Sequence, residues 1–175
     1  EHKDTYRTEW AHKFIFTSKY RALLSTRSSA EIYFWHDNKT PTDPSDDKIA
    51  IYSASQWRDK DGKSISPTYL SDAQEDKNGT LWVGTDMGPI LLQDPTKIFT
   101  SNDYRCTRVK INRNDDSGLA DYLLDGETIF AIEIDYGNRK WLGTANSGLY
   151  LVSEDGTETL AHFTKENSPL SSNTI

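Results

Sequence analysis

The chain has 175 residues and a single cysteine, Cys106, which excludes an internal disulfide and any zinc site built from cysteines. Long apolar runs are missing too: no stretch of about 18 apolar residues reads as a membrane-spanning helix. The opening residues EHKDTYRTEW lack the basic-then-apolar pattern of a secretion leader, so the expectation is a cytosolic protein or one whose leader has been removed. Basic charge is in deficit, 20 Lys and Arg against 27 Asp and Glu, giving a formal net charge of −7 and a sequence pI near 5.1. No field of that sign condenses a phosphate backbone, and nucleic acid is not an expected partner.

The signatures of chemistry are equally sparse. There is no GxGxxG, and GKS at 62–64 fails as a phosphate loop because Trp57 stands where the earlier glycine must be. His2, His12, His36 and His162 form no HxxxH or HExxH pair, and no GxSxG elbow occurs. Carboxylates are many, but none is marked as a hydrolytic pair. Asp59, Asp61 and Gly62 in DKDGKS have the opening of a calcium loop without its closing ligands, which reads as a β-turn. The expectation is a protein without a catalytic residue, a metal or a cofactor: not an enzyme.

What the chain does contain is one phrase stated twice. KNGTLWVGTDMGPILL (77–92) and GNRKWLGTANSGLYLV (137–152) align on tryptophan, placing Asp76 with Asp135, Trp82 with Trp141, Gly84 with Gly143 and Thr85 with Thr144. Gly88 and Gly148 follow one residue out of step, as a loop permits. The period, about 59 residues, is a little longer than that of most propeller blades. Each copy reads as strand, turn, strand, turn, strand: YLSDAQE and LWVG flank DKNGT, and TIFAIEID, KWLGT and LYLV are separated by GN and SGL. Upstream, KFIFTS, YRALLS, AEIYFWH and KIAIYSA are four more strand-like runs, with an acidic loop at 37–48. LADYLL, in the insertion between the two copies, fits either a helical turn or a strand.

Repeated β-units that cannot bury both faces alone stack radially. The expected fold is all-β: a partial β-propeller of about three antiparallel blades, roughly 1–68, 69–127 and 128–175, a fragment of a larger propeller with the last blade cut. In that frame Trp82 and Trp141 fill the wedge between blades, the competing reading being a surface on which a sugar stacks. Gly84, Gly143, Gly88 and Gly148 give positive φ or close strand approach, Thr85 and Thr144 bond the turn backbone, and Asp76 and Asp135 cap hairpins. Strand edges and apolar faces left open predict oligomerisation, strand exchange or dependence on further chain.

Function is then sought in what differs between copies. Arg105, Arg108, Lys110 and Arg113 make one segment locally basic, a candidate anion-binding set; alternation puts Arg108 and Lys110 on one strand face. The competing reading is an edge strand protected by charge.

DKNGTLWVGTDMG and DYGNRKWLGTANSGLYLV, the latter followed by HFTKENSPLSSNTI, resemble the two-component-regulator-propeller repeat of Bacteroidetes. The longer run from 113 to 175, with LADYLLDGE and GNRKWLGT, resembles the PorZ family of cell-surface components of the type IX secretion system. The resemblance implies a non-enzymatic extracytoplasmic module, at the outer-membrane surface or in the periplasm, with protein partners in a secretion or signalling complex and anionic polysaccharide or lipopolysaccharide as a ligand. The alternatives are a ligand-sensing periplasmic domain of a hybrid two-component sensor and a polysaccharide hydrolase or lyase.

Overall fold

Four strand-like runs at the start of the chain close into one antiparallel sheet, β1 (Ala11–Phe16), β2 (Arg21–Ser25), β3 (Glu31–His36) and β4 (Lys48–Tyr52), in that spatial order. The computed structural model describes residues 11–25, 30–53, 56–112 and 120–175. The second sheet holds β5 (Leu70–Glu75), β6 (Thr80–Thr85), β7 (Gly88–Gln93) and β8 (Thr107–Arg108). The third holds β11 (Ile129–Ile134), β12 (Lys140–Thr144), β13 (Leu149–Val152) and β14 (Thr159–Phe163). Between them β9 (Lys110–Asn112) and β10 (Ala120–Tyr122) form a two-stranded ribbon, so the ADY of LADYLL is a strand. The described residues include no α-helix, only a 3-10 turn over Pro95–Phe99, and none of their helices is long and apolar enough to cross a membrane.

The sheets are blades. Strand β5 lies against β1 and β2, and β11 lies against β5 and β6, so the first strand of each sheet packs on its predecessor. Each core is an interface between two sheets. Ile15, Ala22, Leu24, Ile32 and Phe34 of the first sheet meet Leu70, Leu81, Val83, Ile90 and Leu92 of the second. Trp82 and Leu91, from the opposite face of the second sheet, meet Ile129, Ile132, Leu142 and Val152 of the third. The middle sheet is therefore buried on both faces, which is why β6 and β7 read as continuous apolar runs instead of alternating ones.

One expectation changes. Each repeat has a fourth, outer strand beyond the three legible in its sequence: β8, only two residues long, and β14, whose side chains are mostly exposed. The third sheet thus has four strands, as the first two have. Beyond it, Asn173 to Ile175 repeat against the third sheet what Glu127 to Ile129 do against the second. Gly88 N–H donates to Glu127 O at 2.9 Å, and Gly148 N–H donates to Asn173 O at 2.8 Å.

Candidate functional site

The repeated signature builds the blade joints by the same bonds in both copies. Thr85 Oγ1 donates to Gly88 O (2.7 Å) and accepts from Met87 N–H (3.0 Å); Thr144 Oγ1 donates to Gly148 O (2.8 Å) and accepts from Ser147 N–H (2.8 Å). Asp76 Oδ1 accepts from the backbone N–H of Asn78 and Thr80, and Asp135 Oδ1 from that of Gly137 and Arg139. Gly88 and Gly148 both sit at φ +85. Gly84 and Gly143 serve by close approach instead: a Cβ on Gly84 would stand 2.8 Å from Ser71 Oγ and 3.1 Å from Ile129 O, and one on Gly143 would stand 2.9 Å from Ile175 Cγ2.

The two copies diverge around their tryptophans. Trp82 is 1% exposed and its Nε1 donates to Asp76 Oδ2 at 3.1 Å. The turn of the third blade closes over the ring at Gly156, where a Cβ would come within 2.7 Å of Trp82 Cη2. Trp141 is half-buried and stacks on Phe163, centroids 6.0 Å apart. Asp135 turns its second oxygen to Arg139, Nε at 2.8 Å, and this guanidinium holds its carboxyl below the usual range.

Sequence reasoning missed the charge that joins the second and third blades. Lys140 has no exposed surface; its Nζ pairs with Asp76 Oδ2 at 3.0 Å, donates to Asn138 O at 2.8 Å and to Glu154 O, and lies 4.9 Å from the centre of the Trp82 ring. Asp72 was missed likewise: its Oδ2 accepts from Ile132 N–H at 2.9 Å and its Oδ1 pairs with Lys13, so one carboxylate ties all three blades together. Both are polar side chains inside otherwise buried strands, and that interruption was the available signal.

The basic segment divides. Arg113 lies outside the described residues. Arg105 turns away, its Nη2 on Asp103 Oδ1 at 2.6 Å and its Nη1 beside Gly62. Arg108 ends β8 and Lys110 begins β9, so they are on different strands, yet both line one cleft of about 510 Å³. Its apolar floor is Ile65, Leu91 and Val109, and Tyr122 forms a wall. Arg108 is locked there: Nη2 donates to Met87 O at 2.7 Å and pairs with Asp125, and the guanidinium lies 4.1 Å from the Tyr122 ring centre. The turn predicted at DKDGKS forms one rim. Gly62 N–H donates to Asp59 O, Asp59 Oδ1 accepts from the N–H of Asp61 and Lys63, and Gly62 takes φ +81. The turn at 155–157 of the third blade forms the facing rim.

The chain is similar to known proteins in sequence and fold. Residues 64–87 match the family described as two component regulator propeller. A histidine kinase P4 of Formosa agariphila is 26% identical over 103 residues, which is 59% of this chain and 7% of that protein. PorZ of Porphyromonas gingivalis, described as an essential bacterial surface component of the type IX secretion system, superposes with a TM-score of 0.82 at 28% identity, over 95% of this chain and 22% of its own. The extracellular domain of a hybrid two-component system of B. thetaiotaomicron gives a TM-score of 0.43 at 16% identity, over 97% of this chain and 24% of its own. The chain thus spans a small part of each relative. It is a run of antiparallel β-propeller blades that carries the two-component-regulator-propeller repeat and shares the fold of part of PorZ.

Proposed function

We propose that the chain is part of a non-enzymatic, extracytoplasmic propeller that binds and scaffolds other components of a type IX secretion system, as a PorZ-like surface protein. The observation that carries this reading is the superposition on PorZ along 95% of the chain at 28% identity. The PorZ name describes a surface component, which supports a location outside the cytoplasm. Protein partners from the same envelope complex follow from that likeness, and an anionic polysaccharide or lipopolysaccharide is the accompanying ligand.

The test is deletion of the gene in the source organism, followed by fractionation. Type IX cargo is expected to leave the cell surface and return on complementation. Full-length protein found in the cytosol would end the reading. The second reading, a ligand-sensing ectodomain of a hybrid sensor, is favoured by the histidine kinase match. It predicts unchanged cargo and an altered transcriptional response to a glycan.

A further inference from the structure

We propose that the cleft walled by the β1–β2 turn, the end of β3, the start of β4 and the 3-10 turn over Pro95–Phe99 binds a phosphate monoester. The proposal goes beyond the secretion reading and does not depend on it. The cleft has a volume of about 420 Å³, that of a small-molecule site. Lys19, Lys39 and Lys48 line it with His36 and the Phe99 ring, and no carboxylate does.

The lysines have no acid of their own. Among the described residues no carboxylate stands within ion-pair distance of Lys19, Lys39 or Lys48. Two acids on the adjoining turns are each paired with a cation outside the lining: Asp37 with Arg21 at 3.0 Å and Asp94 with Lys97 at 3.5 Å. Lys19 favours the charged forms of Glu75 and Asp94 from beyond that distance, which leaves Lys39 and Lys48 uncommitted. Asp43, Asp46 and Asp47, in the loop before β4, do not line the cleft, and Asp46 turns both oxygens to the Thr40 hydroxyl. The surface that a ligand meets is therefore cationic, although the loop behind it is acidic.

The donors are held in place before any ligand arrives. Asn38 and Lys39 take φ +44 and +66, in the left-handed region. Lys39 N–H donates to Asp37 Oδ1 at 3.0 Å and Asn38 N–H to His36 Nδ1 at 3.1 Å, which fixes that turn. The second bond leaves the His36 ring proton on Nε2, an N–H with no partner among the described residues. Ammonium groups and a ring N–H from separate segments suit the several oxygens and double charge of a phosphate monoester. Phe99, set edge-on to His36 with centroids 6.3 Å apart, is the flat wall for the organic group of the ester.

The probe is phenyl phosphate, titrated into the 175-residue chain and followed by amide chemical shifts. Phenyl sulfate is the singly charged analogue of the same shape, and inorganic phosphate is the anion without a ring. Phenyl phosphate is expected to shift residues 17–19, 36–39, 48 and 96–100 and to bind more tightly than either comparison anion. Lys39→Gln with Lys48→Gln should weaken it about tenfold, whereas Lys60→Gln with Lys63→Gln, beside another cleft, should leave it unchanged. On the unaltered protein, raising salt from about 20 mM to about 500 mM should weaken phenyl phosphate more than phenyl sulfate, a readout independent of any variant. Equal affinity for phenyl phosphate and either comparison anion, equal weakening by the two lysine pairs, or no saturable shift in those segments would overturn the proposal.

Discussion

Lys140 takes in the third blade the register position that Leu81 takes in the second, each pairing across to the strand residue just before its hairpin. Leu81 meets an apolar neighbour, whereas Lys140 meets Asp76 and the face of Trp82. A buried pair of this kind is costly to break from one side, because the remaining charge has no water. Lys140→Met should therefore lower stability by about 3–5 kcal/mol, and adding Asp76→Asn, which keeps an oxygen for the hairpin N–H groups, should recover much of that loss. Urea unfolding of the single and double variants checks this; a Lys140→Met change below about 0.5 kcal/mol would mean that the pair does not join the blades.

Glu75 gives a second prediction, with the opposite sign to a paired carboxylate. Burial raises its pKa above the ordinary 4.5, although the Tyr20 hydroxyl and the Lys19 charge pull the other way. The same burial, aided by the Glu75 charge, pushes the Tyr20 hydroxyl up. A raised carboxyl favours its protonated form in the fold. Its stabilising contribution is thus complete below pH 4.5 and is lost as the pH rises through the raised value. Glu75→Gln mimics the neutral form, so its Tm should exceed that of the parent by more at pH 7 than at pH 4. A Tm difference that is the same at both pH values would place Glu75 in full contact with solvent.

At the scale of the element, the turns were the legible part. Glycine, threonine and aspartate at fixed spacing around tryptophan carry their own backbone chemistry, and the structure uses the same bonds twice. The four strands of the first blade were legible for a related reason, since each is rich in β-branched and aromatic residues. The outer strands were not. Thr159–Phe163 is exposed along most of its length and Thr107–Arg108 is two residues long, so neither needs a periodic apolar pattern. Of the basic segment, Arg108 and Lys110 line one cleft and could be read locally. The partners Lys60, Lys63 and Tyr122 come from other segments and meet only through the blade stack.

The glycines also show where identical motifs stop being equivalent. A Cβ at Gly84 meets Ser71 Oγ at 2.8 Å and the Ile129 carbonyl at 3.1 Å, both on strands inside sheets or at their start, whereas at Gly143 the two nearest atoms belong to the Ile175 side chain and the Ile175 carbonyl stands at 3.3 Å. Gly84→Ala should cost about 1–3 kcal/mol and Gly143→Ala clearly less, although both glycines stand two residues after the tryptophan and just before threonine. Thermal unfolding of the two variants decides it; equal losses would mean that the inner-strand approach is not what either glycine serves.

Over the whole molecule, burial is lopsided. The middle blade is covered on both faces, but the first blade carries two rows across its four strands on the face away from its neighbour: Phe16, Arg21, Trp35 and Ile49, and Phe14, Leu23, Tyr33 and Ile51. Phe16 is 73% exposed, Phe14 54% and Trp35 41%, a patch of the kind that interfaces cover. On the far side of the third blade, Trp141 occupies the place from which Trp82 receives its neighbour. These sheets are consecutive blades of a larger propeller, and hydroxyl-radical footprinting of the full-length protein beside this 175-residue chain tests that arrangement. Trp82 is expected to be protected equally in both, while Phe14, Phe16 and Trp35 are labelled in the 175-residue chain and protected in the full-length protein. Equal labelling of those three residues in both would contradict it.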